Sequence, residues 1–205
     1  MTTAIVGGTG AFGRALAVRL REAGVDIAIG SRDAARGRQA AEELGVEGGA
    51  NADVANRAEL VVLAVEAGAA VATAAELRAA IGRTPVLCVA SELRFGKDGA
   101  RPGSDGLSVA ERVAEALDAP TAAGLHSLGA RHLAKEPPDE DALVCGDAAE
   151  AKEPALELAS RLVRGRAIDV GPLAVARALE GMTAVIVNVN KRYRATAGIR
   201  LTGLR

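Results

Sequence analysis

Aromatic residues are almost missing from this sequence. Phe12, Phe95 and Tyr193 are the whole set in 205 residues, and tryptophan is absent. The core must therefore be built from Ala, Val, Leu and Ile, and hydrophobic residues do make up 49% of the chain. A planar ligand has to lie on aliphatic groups or backbone, because no aromatic cage can be assembled. Histidine and cysteine are equally scarce, at two each. Cys88 and Cys145 sit inside apolar, strand-like runs, with no C-x-x-C spacing and no clustered histidines. They read as buried core thiols rather than a disulfide or a metal site. There is no G-x-S-x-G elbow, no P-loop and no metal-ligand cluster, so hydrolysis and group transfer lack their usual residues. The formal net charge of -1 provides no basic field for nucleic acid. No apolar run approaches a membrane span, and the first residues carry no secretory pattern. A cytoplasmic protein without nucleic-acid or membrane partners is expected.

What is present is concentrated at the start. Ala4 to Val6 is an apolar run that enters the cluster Gly7-Gly-Thr-Gly-Ala-Phe-Gly13. Gly8, Gly10 and Gly13 have the G-x-G-x-x-G spacing, and a helical pattern with Leu16, Ala17 and Leu20 on one side follows at once. Strand, glycine turn and helix in that order open a dinucleotide-binding unit. The first glycine permits the tight turn, the second a close approach to a pyrophosphate, and the third close packing of helix on strand. The free N–H groups and the dipole of the helix start then attract the anion.

The second strand, Asp26 to Gly30, ends in Ser31-Arg32. An NAD site places Asp or Glu at this strand end to hold the ribose 2′-OH. Gly30, Ser31 and Arg32 include no acid. Arg32 offers a planar fork for a 2′-phosphate, Arg36 lies one helical turn further on the same face, and Thr9 adds a hydroxyl from the glycine turn. The set suits NADP rather than NAD. Asp33 can serve as a helix N-cap.

Strand and helix patterns then alternate along the chain. Helices are expected over 11–23, 34–44, 67–81, 108–117, 148–163 and 173–193. Strands are expected over 4–6, 26–30, 59–65, 86–90, 120–127, 142–146 and 167–171, with a short one near 46–51. This is an α/β, Rossmann-like, doubly wound and mainly parallel sheet with a small helical C-terminal extension. Residues 1–171 form the NADP-binding domain and 172–205 the extension. Ligands of such a sheet bind at the carboxyl ends of the strands, which gathers Gly7 to Phe12, Ser31, Arg32, Val65, Glu66 and the segment after Ala90 around one crevice. The stretch 91–105 reads as a long irregular loop, and 135–141 as a solvated acidic loop. His126 sits at a strand end where it can face the crevice, and His132 on the surface. The tail is basic, with Lys191, Arg192, Arg194, Arg200 and Arg205 and no acid after Glu180.

So few acid/base residues would disable most dehydrogenases of alcohols or carbonyls, which need a proton donor for the oxygen. They would not disable hydride exchange between two cofactors, where the protein holds two rings face to face and excludes water.

Across nearly its whole length the chain resembles the F420-dependent NADP oxidoreductases. The residues that carry the resemblance are Gly7 to Gly13, Gly30-Ser-Arg32, Leu125-His-Ser127, Val144-Cys-Gly-Asp147 and Asp169-Val-Gly-Pro-Leu173. The resemblance implies hydride transfer between NADP(H) and coenzyme F420, a deazaflavin co-substrate, in a homodimer, with no catalytic side chain and no metal. It implies that Thr9, Ser31, Arg32 and Arg36 contact the 2′-phosphate. Gly8, Gly10, Ala11 and Phe12 match the pyrophosphate turn, and His126, Ser127 and Leu128, with the end of the chain near 201–204, border the cleft between nicotinamide and deazaflavin. At two places the chain departs from the family pattern. Glu66-Ala67 stands where a proline and an aromatic are usual, and Ser91-Glu92 where an apolar turn is usual. A carboxylate at Glu66 or Glu92 disfavours an acidic deazaflavin tail. The alternative on the same fold is an NADP(H)-dependent reductase of a small imine or carbonyl, drawing its proton from Glu66, Glu92 or His126. A third class is an NADP-sensing protein without catalysis.

Overall fold

The computed structural model describes residues 1–103 and 106–204. Its first half alternates β1 (Thr3–Val6), α1 (Ala11–Glu22), β2 (Ile27–Ser31), α2 (Ala34–Leu44), β3 (Glu47–Ala50), α3 (Asn51–Ala55), β4 (Leu60–Leu63), α4 (Ala67–Ile81) and β5 (Val86–Cys88). A hairpin of β6 (Leu93–Gly96) and β7 (Gly99–Pro102) follows. Then come α5 (Val109–Ala116), β8 (Thr121–Gly124), α6 (Ala130–Leu133), β9 (Ala142–Gly146), α7 (Ala149–Leu162), β10 (Ala167–Asp169) and α8 (Ala176–Tyr193).

Eight of these strands form one sheet in the order β3-β2-β1-β4-β5-β8-β9-β10. Neighbours are parallel except β8 and β9, so β9 and β10 run against the rest. The first six strands have the arrangement of a dinucleotide-binding sheet. Its chain crosses back between β1 and β4, where the loops diverge and leave a crevice at the strand ends. Successive residues of each strand enter opposite cores. Ala4, Val6, Val61 and Leu63 meet α3, α4, α5 and α8, whereas Ile5, Leu60 and Val62 meet α1, α2 and α7. Burial on both faces explains the near-continuous apolar runs. Cys88 and Cys145 are free and buried, and burial pushes each thiol up to about 12.

Several expectations need correction. The stretch 91–105 is not an irregular loop through 102. Its polar strands pair as the antiparallel hairpin β6–β7, which docks on α8. There the Asn188 amide mimics a neighbouring strand: it donates to the Ala100 carbonyl and accepts from the Ala100 N–H, each at 2.8 Å. Ser104 and Asp105 lie outside the described residues, as does Arg205 of the basic tail. The acidic loop is not fully solvated either. Glu140 and Asp141 are buried and hold the end of the chain, as the Ile199 N–H donates to Glu140 and the Leu201 N–H to Asp141. Arg166 donates to Asp141 at 2.7 Å and holds that carboxyl well below the usual carboxylate range. The strand expected over 120–127 stops at Gly124, because Leu125 takes a φ of 65°. The expectation that no apolar run approaches a membrane span also needs correction: the segment Leu173–Tyr193 is long and apolar enough by length and composition, its most apolar 18 residues having a mean hydropathy of 1.2, and 33% of that window is buried in the fold.

Candidate functional site

The crevice between β1 and β4 is a cleft of about 780 Å³. Its floor is the glycine turn. Gly7 has a φ of 79°, and a Cβ on Gly13 would lie 2.6 Å from the Gly7 carbonyl, so the helix can only approach the turn this closely without a side chain. The N-cap of α1 is Gly10, which has no side chain to satisfy the first N–H groups, and no acid follows in the first turn. This helix start contrasts with those of α2 and α5, which Asp33 and a Ser108–Glu111 capping box close. The α1 terminus is thus left with free donors facing the cleft, as a pyrophosphate requires.

At the end of β2 the polar groups converge. The Thr9 hydroxyl donates to Ser31 Oγ at 3.4 Å, and Ser31 Oγ accepts from the Asp33 N–H at 3.3 Å. Asp33 caps α2, with its carboxylate accepting from Ala35 and Arg36 N–H at 2.8 and 3.3 Å. Arg32 and Arg36 both line the cleft, and among the described residues neither is paired with a carboxylate. Two arginines and two hydroxyls thus line this end of the cleft, with the local acid turned to the helix.

Much of the remaining lining is aliphatic, with Ala64, Val65, Val89, Ala90, Leu125 and Leu128 on the cleft, and Glu66, Thr73, Ser91, Thr183 and His126 add polar groups to it. His126 lines the cleft at 6% exposure, with both ring nitrogens buried and neither in a hydrogen bond of normal geometry, the Ala90 backbone being the polar group that acts on the ring. Burial pushes its pKa down to about 4, opposed by the Ala90 carbonyl, so the imidazole is neutral at pH 7. The left-handed Leu125 backbone turns the chain so that His126 meets the cleft. Thr183 of α8 donates to the His126 carbonyl at 2.8 Å and accepts from the Ser91 hydroxyl at 2.9 Å, which fastens α8 to the cleft wall.

Of the residues expected from the sequence, Thr9, Gly10, Ala11, Phe12, Ser31, Arg32, Arg36, Val65, His126 and Leu128 line this cleft. Gly8 and Ser127 do not. Gly8 faces the sheet: its N–H donates to the Gly30 carbonyl at 2.9 Å, and a Cβ there would stand 2.9 Å from Ile29. Ser127 is buried behind the wall, its hydroxyl directed at the Asp141 carbonyl at 3.5 Å. Residues 201–204 are also absent from the cleft lining, and the Leu201 N–H donates to Asp141 instead. Glu92 is absent from the lining and pairs with Arg112 at 2.6 Å, whereas Glu66 lines the cleft. Sequence reasoning missed Asn51, Thr73 and Thr183. Asn51 accepts from the Gly7 N–H at 3.3 Å and pins the glycine turn, a role with no local signature. Thr183 had a usable signal, a hydroxyl in the middle of an apolar helix.

Fold and site together define a dinucleotide-binding protein of the Rossmann class. The family model described as NADP oxidoreductase coenzyme F420-dependent matches residues 2–90. The F420-dependent NADP reductase of Methanothermobacter thermautotrophicus is 38% identical over the whole of this chain and 96% of its own. That of Methanocaldococcus jannaschii is 31% identical over the whole of this chain and 99% of its own. A crystal structure from Arthrobacter sp. FB24, provisionally assigned as an F420-dependent NADP reductase, superposes with a TM-score of 0.82 at 26% identity, covering 100% of this chain and 99% of that one. The chain belongs to the F420-dependent NADP reductase family.

Proposed function

We propose that this chain is an oxidoreductase that passes a hydride directly between NADP(H) and the deazaflavin coenzyme F420. The observation that carries the reading is the division of one cleft into a cationic end, where Arg32 and Arg36 have no carboxylate partner among the described residues, and a mainly aliphatic end walled by Val65, Leu125, Leu128 and a neutral, buried His126. The curated relatives that match end to end bear the same activity in their name.

The residues fit both groups. Thr9, Ser31, Arg32 and Arg36 grip the 2′-phosphate, and the uncapped N–H groups at Ala11 and Phe12 donate to the pyrophosphate. Val65, Leu125 and Leu128 wall the reacting end and exclude water, which strengthens every polar contact inside. His126, uncharged at pH 7, positions a ring through a hydrogen bond and adds no competing proton source. When bound, the two cofactors supply the redox chemistry themselves, a two-electron hydride passing between rings held face to face. No side chain has to give or take a proton at the reacting carbon. One acid proposed as a proton source for imine or carbonyl reduction, Glu92, is committed to Arg112.

In this reading residues 1–171 bind the dinucleotide, and 172–205 close the second pocket and form a homodimer. Support for the dimer is the outer face of α8, where Ala178 and Val185 lie exposed two turns apart, with Val185 61% exposed, while Met182 between them packs on the core. The two free thiols suit a cytoplasmic, reducing compartment. The test is an anaerobic mixture of the protein, NADPH and oxidised F420, read by loss of deazaflavin absorbance. Rapid bleaching with NADPH and slow bleaching with NADH is the expected result. Saturable NADPH binding without bleaching overturns the proposal.

A further inference from the structure

Two acids line the cleft, Asp33 and Glu66. Asp33 is committed to the N-cap of α2, and Glu92 is off the lining and paired with Arg112. Glu66 holds the same place before α4 that Asp33 holds before α2, yet its carboxylate makes no cap bond. Among the described residues no arginine, lysine or histidine pairs with it. Glu66 is exposed on the lining, so it presents a free carboxylate to the space a dinucleotide fills.

Topology determines which half of the dinucleotide it meets. The sheet order puts β2 on one side of β1, and β4 and then β5 on the other. Arg32 and Arg36, the proposed grip on the 2′-phosphate, follow β2, so the adenosine half lies on that side. The nicotinamide half crosses the glycine turn to the side of β4 and β5. Glu66 follows β4, and the chain there is pressed against the turn: a Cβ on Gly7 would stand 2.6 Å from Val65 Cγ1 and 2.9 Å from the Ala64 carbonyl oxygen. The rest of this half is Ala90 and Ser91 after β5, and Leu125, Leu128 and His126 after β8, with His126 uncharged at pH 7. Glu66 is the one charged side chain among the described residues on this half of the lining.

Charge is also what separates the two forms of the nucleotide at this end. Their phosphates are the same. The nicotinamide ring is neutral in NADPH and cationic in NADP+, because the hydride leaves with both electrons of its bond and is taken up by the oxidised deazaflavin. We propose that Glu66 is a specificity-determining residue that favours NADP+ over NADPH, an inference that rests on the function proposed above. Its carboxylate attracts the cationic ring, and the attraction grows as the bound nucleotide displaces water. Tighter binding of the oxidised form makes the bound nucleotide a stronger reductant, so Glu66 biases hydride flow from NADPH towards the deazaflavin. The family pattern has an uncharged proline here, which makes this charge a property of the present chain.

The test is calorimetric titration of the wild type and of Glu66→Gln with NADP+ and with NADPH, without any deazaflavin. Repulsion between Glu66 and the phosphates is common to both forms and cancels in the ratio of the two Kd values. The variant is expected to raise Kd for NADP+ relative to Kd for NADPH about threefold, the size of an exposed ion pair. On the bound two-electron couple this is about 14 mV. Glu66→Asp, which keeps the charge, should retain part of the preference, and 2′,5′-ADP, which lacks the nicotinamide, should not distinguish Glu66→Gln from Glu66→Asp by more than the phosphate effect seen with NADPH. An unchanged ratio in Glu66→Gln overturns the proposal, whether both Kd values move together or neither moves. These Kd values need no hydride acceptor, so failure of the wild type to bleach F420 overturns the reaction proposed above without altering this result.

Discussion

Arg32 and Arg36 owe their availability to Asp33. That carboxylate caps α2 and so withdraws the one local acid from the phosphate site. Replacing Arg32 removes a charge-assisted contact, each of which contributes about 1.5–3 kcal/mol. Arg32→Ala should raise KM for NADPH about 10- to 100-fold and leave KM for NADH nearly unchanged, as measured by steady-state kinetics with both nucleotides. Equal losses with both would remove Arg32 from the 2′-phosphate. These residues were legible in the sequence because a strand end, a glycine turn and a helix start lie close together along the chain. Gly8 and Ser127 lie off the cleft lining, because spacing gives a residue's position in a motif but not the face it presents. Gly8 fits against Ile29, and Ser127 turns behind Leu125 to Asp141. The neutrality of His126 was also hidden, since it arises from burial by parts of the chain distant in sequence.

At the scale of elements, the end of the chain is an unexpected fixed part. Residues 199–201 run beside Glu140 and Asp141 and are held by backbone N–H groups donating to both carboxylates. The two acids respond to pH in opposite ways. Burial raises Glu140 to about 7 from 4.5, so the unfolded chain releases this proton first. Its stabilising contribution is complete below pH 4.5 and declines as pH rises through 7. Asp141 is lowered by Arg166, so its contribution is present above its ordinary value and is lost in acid. Glu140→Gln should therefore lessen the fall in Tm between pH 5 and pH 8 by about 3 °C, checked by thermal melts across that range. A fall identical to that of the wild type would show that Glu140 does not titrate there. The hairpin β6–β7 and this clamp escaped sequence reading for one reason. Both are stabilised by polar contacts to remote segments, Asn188 and Arg166, rather than by any periodic apolar pattern.

For the molecule as a whole, alternating apolar strands and helices were enough to specify a doubly wound sheet, because both of its faces are buried and each strand reads as an apolar run. The reversal at β9 was not legible, since strand direction leaves no trace in local periodicity. The sheet brings Ser31 and Arg32 from the end of β2, Arg36 from α2, the glycine turn after β1 and the neutral His126 wall after β8 to one cleft, and α8 is fastened to it through Thr183. The account's central claim is that this cleft transfers a hydride directly and supplies no proton at the reacting carbon. The most direct measurement uses NADPH deuterated at the transferred position, with oxidised F420 in ordinary water, and mass analysis of the reduced deazaflavin. The account predicts that the product carries the deuterium quantitatively. A product whose new hydrogen comes from solvent would contradict it.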